Sequence, residues 1–156
     1  MEESSIQQQM YPHATCFGCG PANPAGLHLA SYAATDSAEG LVVAQFTPWS
    51  EHDNGIGYLN GGIIATVLDC HGGAAAIRHA YLQGWRQTPG APYPYVTAGL
   101  DVRYLRPAPL DQPSELRALV TDAQDDEVTV RAELWWDGKP RATGTSTWRR
   151  WRPRVV

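Results

Sequence analysis

Residues Asn54 to Tyr81, NGIGYLNGGIIATVLDCHGGAAAIRHAY, constrain this chain more than any other stretch. A glycine-rich turn, NGIGYLNGG, runs directly into an apolar segment of helical period. Ile63, Val67, Cys70, Ala74, Ile77 and Tyr81 recur at spacings of four and three, which predicts a helix with that stripe against a core. At roughly 100° per residue, a second stripe lies about a third of a turn away: Gly62, Ala65, Asp69, Gly72, Gly73 and Ala76. Every member is small except one carboxylate. A helical glycine costs about 1 kcal/mol relative to Ala, so the glycines mark a flank where another surface comes close. Asp is disfavoured inside a helix, and its company here is unlike an exposed face rich in Lys, Glu, Gln or Arg. Asp69 is therefore the candidate functional residue, against the competing reading of a solvated surface carboxylate. His71 points to nearly the opposite side of the helix, which excludes an Asp69–His71 dyad.

The rest of the chain supplies strands around that helix. Residues 1–15 are expected to form a flexible N-terminal arm, leading into a loop rich in Gly, Pro and Asn up to residue 26. Two strand candidates follow, Leu27–Thr35 and Gly40–Thr47; in the second, Val42, Ala44 and Phe46 form a fully apolar face. The helix should end near Gly84, and Pro89, Gly90, Pro92 and Pro94 mark an irregular loop. Beyond it the period changes to two. Tyr95–Arg106 is stopped by PAP, and Ser114–Ala123 follows. Glu127–Trp136 carries Val128, Val130, Ala132, Leu134 and Trp136 on one face. The tight-turn pair Asp137-Gly138 then leads into Arg141–Trp151. Two strands, one buried helix and a meander of four strands predict an α+β fold, a single domain over residues 16–152. A helix this apolar must be wrapped by the sheet.

Hydrophobic residues make up 43% of the chain, charged residues 18%, and the formal net charge is −4. That balance excludes a disordered chain and a basic nucleic-acid-binding surface, so no nucleic-acid partner is expected. No apolar run approaches the roughly 20 residues of a membrane span, and the acidic, polar start MEESSIQQQM does not read as a secretory signal. No membrane partner is expected, and the cytoplasm is the expected compartment. Cys70 falls on the core stripe and reads as a buried thiol. Cys16 and Cys19 form CFGC, which reads as a structural turn, a redox pair or half of a zinc site. A redox CxxC normally opens a helix after a strand, whereas this one runs into GPANPAGL. A four-ligand zinc site needs a second pair, and only His13 and His28 are at hand to complete one. The structural turn is the expectation, with no metal and no cofactor.

Taken together, CFGCGPANPAGL, NGIGYLNGGIIATVLD and VTAGLDVRYLRPAP resemble the PaaI-like branch of the hotdog-fold acyl-CoA thioesterases, over about residues 16–150. The resemblance implies a long central helix wrapped by a largely antiparallel sheet of five to six strands. It implies an acyl-CoA substrate and a homodimer or dimer of dimers, with sites that take Asp from one protomer and the turn from the other. Position by position, it implies that Asp69 is the catalytic carboxylate, as general base or nucleophile, and that Asn54 is the Asn of the turn. It further implies that the Gly61 N–H polarises the thioester carbonyl and that Thr97 positions water or the carboxylate. Where the family commonly has His before Gly-Gly, this chain has Asn60, which can donate a hydrogen bond but cannot carry a proton.

Elementary chemistry agrees with that assignment. Thioester hydrolysis needs a nucleophile and donors aimed at the developing oxyanion. The N–H groups of Gly61 and Gly62 open the helix, where they lack intrahelical partners and the dipole favours negative charge. Arg103, Arg106, Arg149 and Arg150 close two strands of an acidic protein and are candidates for the phosphates of coenzyme A; the competing reading is that they solvate strand faces. Trp49, Tyr58, Trp85 and Tyr93 flank the expected site and are candidates to shape an acyl pocket. Two rival functions share the fold. An acyl-thioester hydratase or dehydratase generally pairs a His with an acidic residue, which Asn60 argues against. A non-catalytic acyl-CoA-binding protein is favoured by Asn60 and disfavoured by Asp69.

Overall fold

In the computed structural model, which describes residues 4–152, one helix of 22 residues, α2 (Gly61–Leu82), lies across a six-stranded sheet. The strands are β1 (Ser31–Ala33), β2 (Val42–Phe46), β3 (Tyr95–Tyr104), β4 (Ser114–Gln124), β5 (Glu127–Trp136) and β6 (Lys139–Arg150). Every pairing is antiparallel. This is the expected α+β architecture of a long helix wrapped by a sheet.

The expected meander fails at one connection. Across the sheet the order is β1-β2-β4-β5-β6-β3, so β3 pairs with β6 and not with β4. Strand β2 takes the place beside β4, with Val42 opposite Ala118 and Phe46 opposite Ser114, and β3 is left at the far edge. Three strand spacings of about 4.8 Å separate β3 from β4, a distance that the segment 105–113 crosses easily at about 3.3 Å per residue. The consequence is functional: β3 keeps one edge unpaired.

Period-two alternation decides which side chains meet the helix. Val42, Ala44 and Phe46 of β2, Leu116 and Ala118 of β4, Val128, Val130, Ala132 and Leu134 of β5, and Ala142 and Trp148 of β6 are all buried. Leu68 of α2 and the facing Leu116 and Leu134 are at most 1% exposed; truncating a Leu so placed costs about 2–5 kcal/mol. The buried face of α2 is wider than the expected stripe. It takes in Ile64, Leu68 and the run from Cys70 to Ala76, while Ile63 and Ile77 are only partly covered and Tyr81 is 55% exposed. Two surfaces cover the helix where the stripe allowed for one. The sheet packs on one side, and on the other Gly18 sits against Cys70 and Thr66 while Ser31 bonds His71.

The small-residue flank does mark a close approach. A Cβ on Gly73 would lie 2.9 Å from the Trp148 indole, and one on Gly72 would lie 2.8 Å from Ser146 Oγ. Here α2 and β6 come nearest.

The arm expected over residues 1–15 is folded from Ser5 onward; its first three residues lie outside the described residues. Ser5 and Gln8 form a reciprocal capping box that opens α1 (Ile6–Met10), a local signal carried by the sequence SIQQ. Ile6 is buried, and so is Gln7. The Gln7 amide donates to Ser31 Oγ at 3.1 Å and accepts from the Ser31 N–H at 2.8 Å, which ties α1 to β1. Among the described residues, no helix is long and apolar enough to cross a membrane.

Candidate active site

Asp69 lies on the side of α2 that faces β3. Thr97 Oγ1 donates to Asp69 Oδ1 at 2.8 Å. A register shift between Thr97 and Gly99 keeps Thr97 opposite Trp148 and Leu100 opposite Ser146, so both point to the helix side. The carboxyl group is half-buried, and desolvation raises its pKa from the ordinary value; the Thr97 hydrogen bond opposes that rise and the nearby Cys16 thiol adds to it. Oδ2 makes no hydrogen bond among the described residues. The arrangement is a proton acceptor held by one oxygen and open at the other.

The turn before α2 is built by its own polar side chains. Asn54 Oδ1 accepts from the N–H groups of Ile56 at 3.0 Å and Tyr58 at 3.2 Å, and Asp53 Oδ1 accepts from Gly57 at 2.8 Å. Gly55 and Gly57 stand at φ 95° and 90°, a region that side chains with a Cβ rarely adopt. Asn54 therefore shapes the turn, and its carbonyl oxygen is committed.

Asn60 is the N-cap of α2. Its Oδ1 accepts from Gly62 N at 2.8 Å and Ile63 N at 3.3 Å. This corrects the expectation for Gly62, whose N–H is already occupied. Gly61 is left as the donor: its N–H makes no hydrogen bond among the described residues. The Asn60 amide nitrogen remains free to donate. The Gly61 carbonyl accepts from Tyr104 Oη at 2.7 Å, a contact the sequence reading missed. Its only signal was that Tyr104 shares the helix-facing alternation of β3 with Leu100 and Val102. A cleft of about 410 Å³ opens here, lined by Tyr58, Gly61, Ile64, Tyr104, Leu105 and Arg106 among others.

The four candidate arginines separate. Arg150 is committed to the fold, with its side chain 8% exposed and bonded to Asp125 Oδ1 at 2.6 Å and the Arg86 carbonyl at 2.7 Å. Arg149 pairs with Glu127 at 2.8 Å and Arg103 with Asp101 at 3.2 Å. Both lie at alternate positions to the buried members of β6 and β3, on the sheet face away from α2. Arg106 alone borders the cleft. Of the aromatic candidates, Tyr58 lines it as well, whereas Trp49 stacks on His52, Trp85 meets His79 edge-on, and Tyr93 is buried against Tyr81.

His71 belongs to the fold. It is fully buried, with Nδ1 2.9 Å from Ser31 Oγ and Nε2 3.0 Å from the Val42 carbonyl. On the same helix the Cys70 thiol, expected as an ordinary core group, meets the CFGC turn: Cys16 Sγ lies 3.7 Å from Cys70 Sγ. Contacts from the Cys19 and Cys70 thiols, helped by the N–H groups of Cys19 and Gly18, pull the Cys16 pKa down to about 2. The contact with Cys16 pushes Cys19 up to about 12 and Cys70 up as well.

The comparisons agree with this architecture. The thioesterase superfamily matches residues 56–142, more than half of the chain. No curated protein matches. Among solved structures, a phenylacetic acid degradation-related protein of Ralstonia eutropha JMP134 is similar over 94% of this chain and 99% of its own, at 23% identity and a TM-score of 0.69. A thioesterase superfamily protein of Shewanella loihica PV-4 is similar over 89% of this chain and 96% of its own, at 26% identity and TM-score 0.65. The protein smu.793 of Streptococcus mutans UA159, solved bound to acetyl CoA, covers 75% of this chain and 86% of its own, at 18% identity and TM-score 0.60. With the helix and strands β3, β4 and β5 all within the matched span, this chain belongs to the thioesterase superfamily and has the hotdog fold.

Proposed function

We propose that the protein hydrolyses an acyl-CoA thioester, with Asp69 as general base. The observation that supports this is the Asp69 carboxylate itself: half-buried, oriented by Thr97 through Oδ1 and unpartnered at Oδ2. Oδ2 accepts a proton from water, and the water oxygen bonds to the thioester carbonyl carbon. The tetrahedral oxyanion collapses, the C–S bond breaks, and the departing thiolate takes up the proton as free coenzyme A. The Gly61 N–H is the donor for the oxyanion; one such donor is worth about 2.7–4 kcal/mol.

Base and donor cannot serve one substrate within a single chain. Asp69 and Gly61 are eight residues apart along α2, about 12 Å at 1.5 Å per residue, whereas both must reach the same carbonyl. The site is completed by a second copy, with Asp69 facing the partner subunit's Gly61. The unpaired edge of β3 supports this pairing, since Val96, Leu100, Tyr104 and Leu105 along it are 37–55% exposed and an apolar free edge invites another strand. Arg106, bordering the cleft, is the arginine placed to meet a coenzyme A phosphate. The acetyl-CoA-bound Streptococcus relative supports a CoA thioester as the substrate class.

Free thiol released from a panel of acyl-CoAs, followed with a thiol reagent, tests the reading. Saturable release that Asp69→Asn slows by about 10²-fold or more is the expected result. Binding without release overturns hydrolysis in favour of the acyl-CoA-binding alternative, and hydration of enoyl-CoA without thiol release overturns it in favour of a hydratase.

A further inference from the structure

Three thiols from two separate parts of the chain converge beside α2. The sulfur atoms of Cys16, Cys19 and Cys70 all lie within 4.8 Å of one another. Cys16 and Cys19 come from the loop before β1, and Cys70 comes from the middle of the helix. Cys16 is exposed, while Cys19 and Cys70 are buried.

The loop is shaped around this meeting point. Gly20 N donates to the Cys16 carbonyl at 2.8 Å, which closes the CFGC turn. A Cβ on Gly18 would stand 2.3 Å from Cys70 Sγ, and one on Gly20 would stand 2.4 Å from Cys16 N. Both glycines are required by contact: at Gly18 the turn sits directly on the helix thiol, and at Gly20 it folds tightly on its own backbone. The segment after it holds the turn in place, with Leu27 N and Leu29 N donating to the carbonyls of Phe17 at 2.7 Å and Gly18 at 3.0 Å.

We propose that Cys16, Cys19 and Cys70 bind a zinc ion as three thiolates, stapling the N-terminal loop to α2 next to Asp69. The geometry fits the metal better than a sulfur–sulfur bond. A tetrahedral ion with Zn–S bonds of about 2.3 Å places its sulfurs about 3.8 Å apart, and the Cys16–Cys70 separation is 3.7 Å. A disulfide would close one pair to about 2.05 Å and leave a third thiol beside it without a role. Thiolate ligands select zinc over magnesium or calcium. The fourth position, on the exposed side of Cys16, goes to water. Binding converts three thiols to thiolates and releases their protons to solvent, with no change of oxidation state. The CFGC pair alone did not complete a site because its further ligand is Cys70, which the helical stripe assigned to the core.

The inference does not depend on hydrolysis and is tested without it. Full-length protein, prepared under reductant with excess zinc and then desalted, should retain one zinc per chain by elemental analysis. Metal-free protein titrated with cobalt(II) should develop thiolate-to-cobalt charge-transfer absorption that saturates at one equivalent. Cys16→Ser changes an exposed position, so the fold is kept, and it should lose both signals. Chelation should lower the Tm of the parent and leave that of Cys16→Ser unchanged. Asp69→Asn should keep the metal. Overturning results are zinc content no higher than in Cys16→Ser with all three thiols free, or a disulfide among them by intact mass under the same conditions.

Discussion

Asp69 and His71 stand two residues apart on one helix, in opposite surroundings. His71 is enclosed, and each ring nitrogen has a partner: Ser31, itself bonded to Gln7, and the Val42 carbonyl. Asp69 is half-buried and, among the described residues, has one bond, to Thr97, and one oxygen free. A polar group that burial has fully satisfied is fixed to the fold, because any change leaves a partner stranded. A group that is desolvated but incompletely satisfied has reactivity left over.

Removing the free oxygen should break the comparison most sharply. Asp69→Asn retains the shape and the Thr97 contact but removes the base, so kcat should fall by about 10²-fold or more. KM should change little and thermal stability should hold or rise, because a desolvated charge has been removed. Steady-state kinetics beside a melting curve check both; near-normal kcat would end Asp69's claim to the chemistry.

The converse holds for His71, through pH. Burial lowers its pKa from 6.5 to about 4, so between those values the unfolded chain binds a proton that the folded chain refuses. The folded form is favoured fully above about pH 6.5 and loses stability as pH falls towards 4. Over roughly two and a half pKa units the loss attributable to this group is about 3 kcal/mol. Urea unfolding at several pH values, for the parent and for His71→Gln, isolates it. The variant should be less stable at pH 7 but flatter towards acid, with kcat at pH 7 little altered. Equal slopes in the two proteins would show that other groups carry the acid sensitivity.

Thr97 joins the two regimes, since it is exposed but bonded to the Asp69 carboxylate. Its hydrogen bond lowers the Asp69 pKa against desolvation, so Thr97→Val should move the acid limb of kcat/KM to higher pH. It should also reduce kcat by about tenfold, less than the roughly 10²–10⁴-fold that a positioned proton transfer is worth, because the carboxylate itself remains. A fall in kcat without movement of the acid limb would mean that Thr97 positions substrate and does not tune the base.

The sequence made the local terms legible. Period-two faces placed the buried members of β2 and β5, the glycine flank placed the approach of α2 to β6, and the lone carboxylate on that flank made Asp69 the candidate. What it hid were the partners from distant segments. Nothing local in β3 says that it pairs with β6. The helical stripe could not foresee that the N-terminal loop covers a second side of α2, which is why Cys70 read as core and residues 5–12 read as an arm. Gln7 and Ser31 look like surface residues until His71 is placed between β2 and the helix. The arginines could not be told apart for the same reason: the register showed that Arg103 and Arg149 face away from α2, a hydrogen bond ties Arg150 to Asp125, and only Arg106 of the four borders the cleft.

Asn60 gives the smallest effect and the finest division between fold and chemistry, because it has a claim on both. Its Oδ1 caps α2 through Gly62 and Ile63, and its amide nitrogen makes no hydrogen bond among the described residues. Asn60→Ala should cost about 1 kcal/mol of stability as a lost cap and leave the Gly62 N–H unpartnered. Asn60→Ser keeps a strong capping oxygen and deletes only the amide donor, so its stability should match the parent within a few tenths of a kcal/mol. If the helix start alone polarises the thioester, kcat in Asn60→Ser should change less than about threefold, since the Gly61 donor and the dipole remain. A drop of about 10²-fold in Asn60→Ser at unchanged stability would instead show that the side chain itself donates to the oxyanion. That outcome would move Asn60 from His71's company, where every bond serves the fold, to that of Asp69.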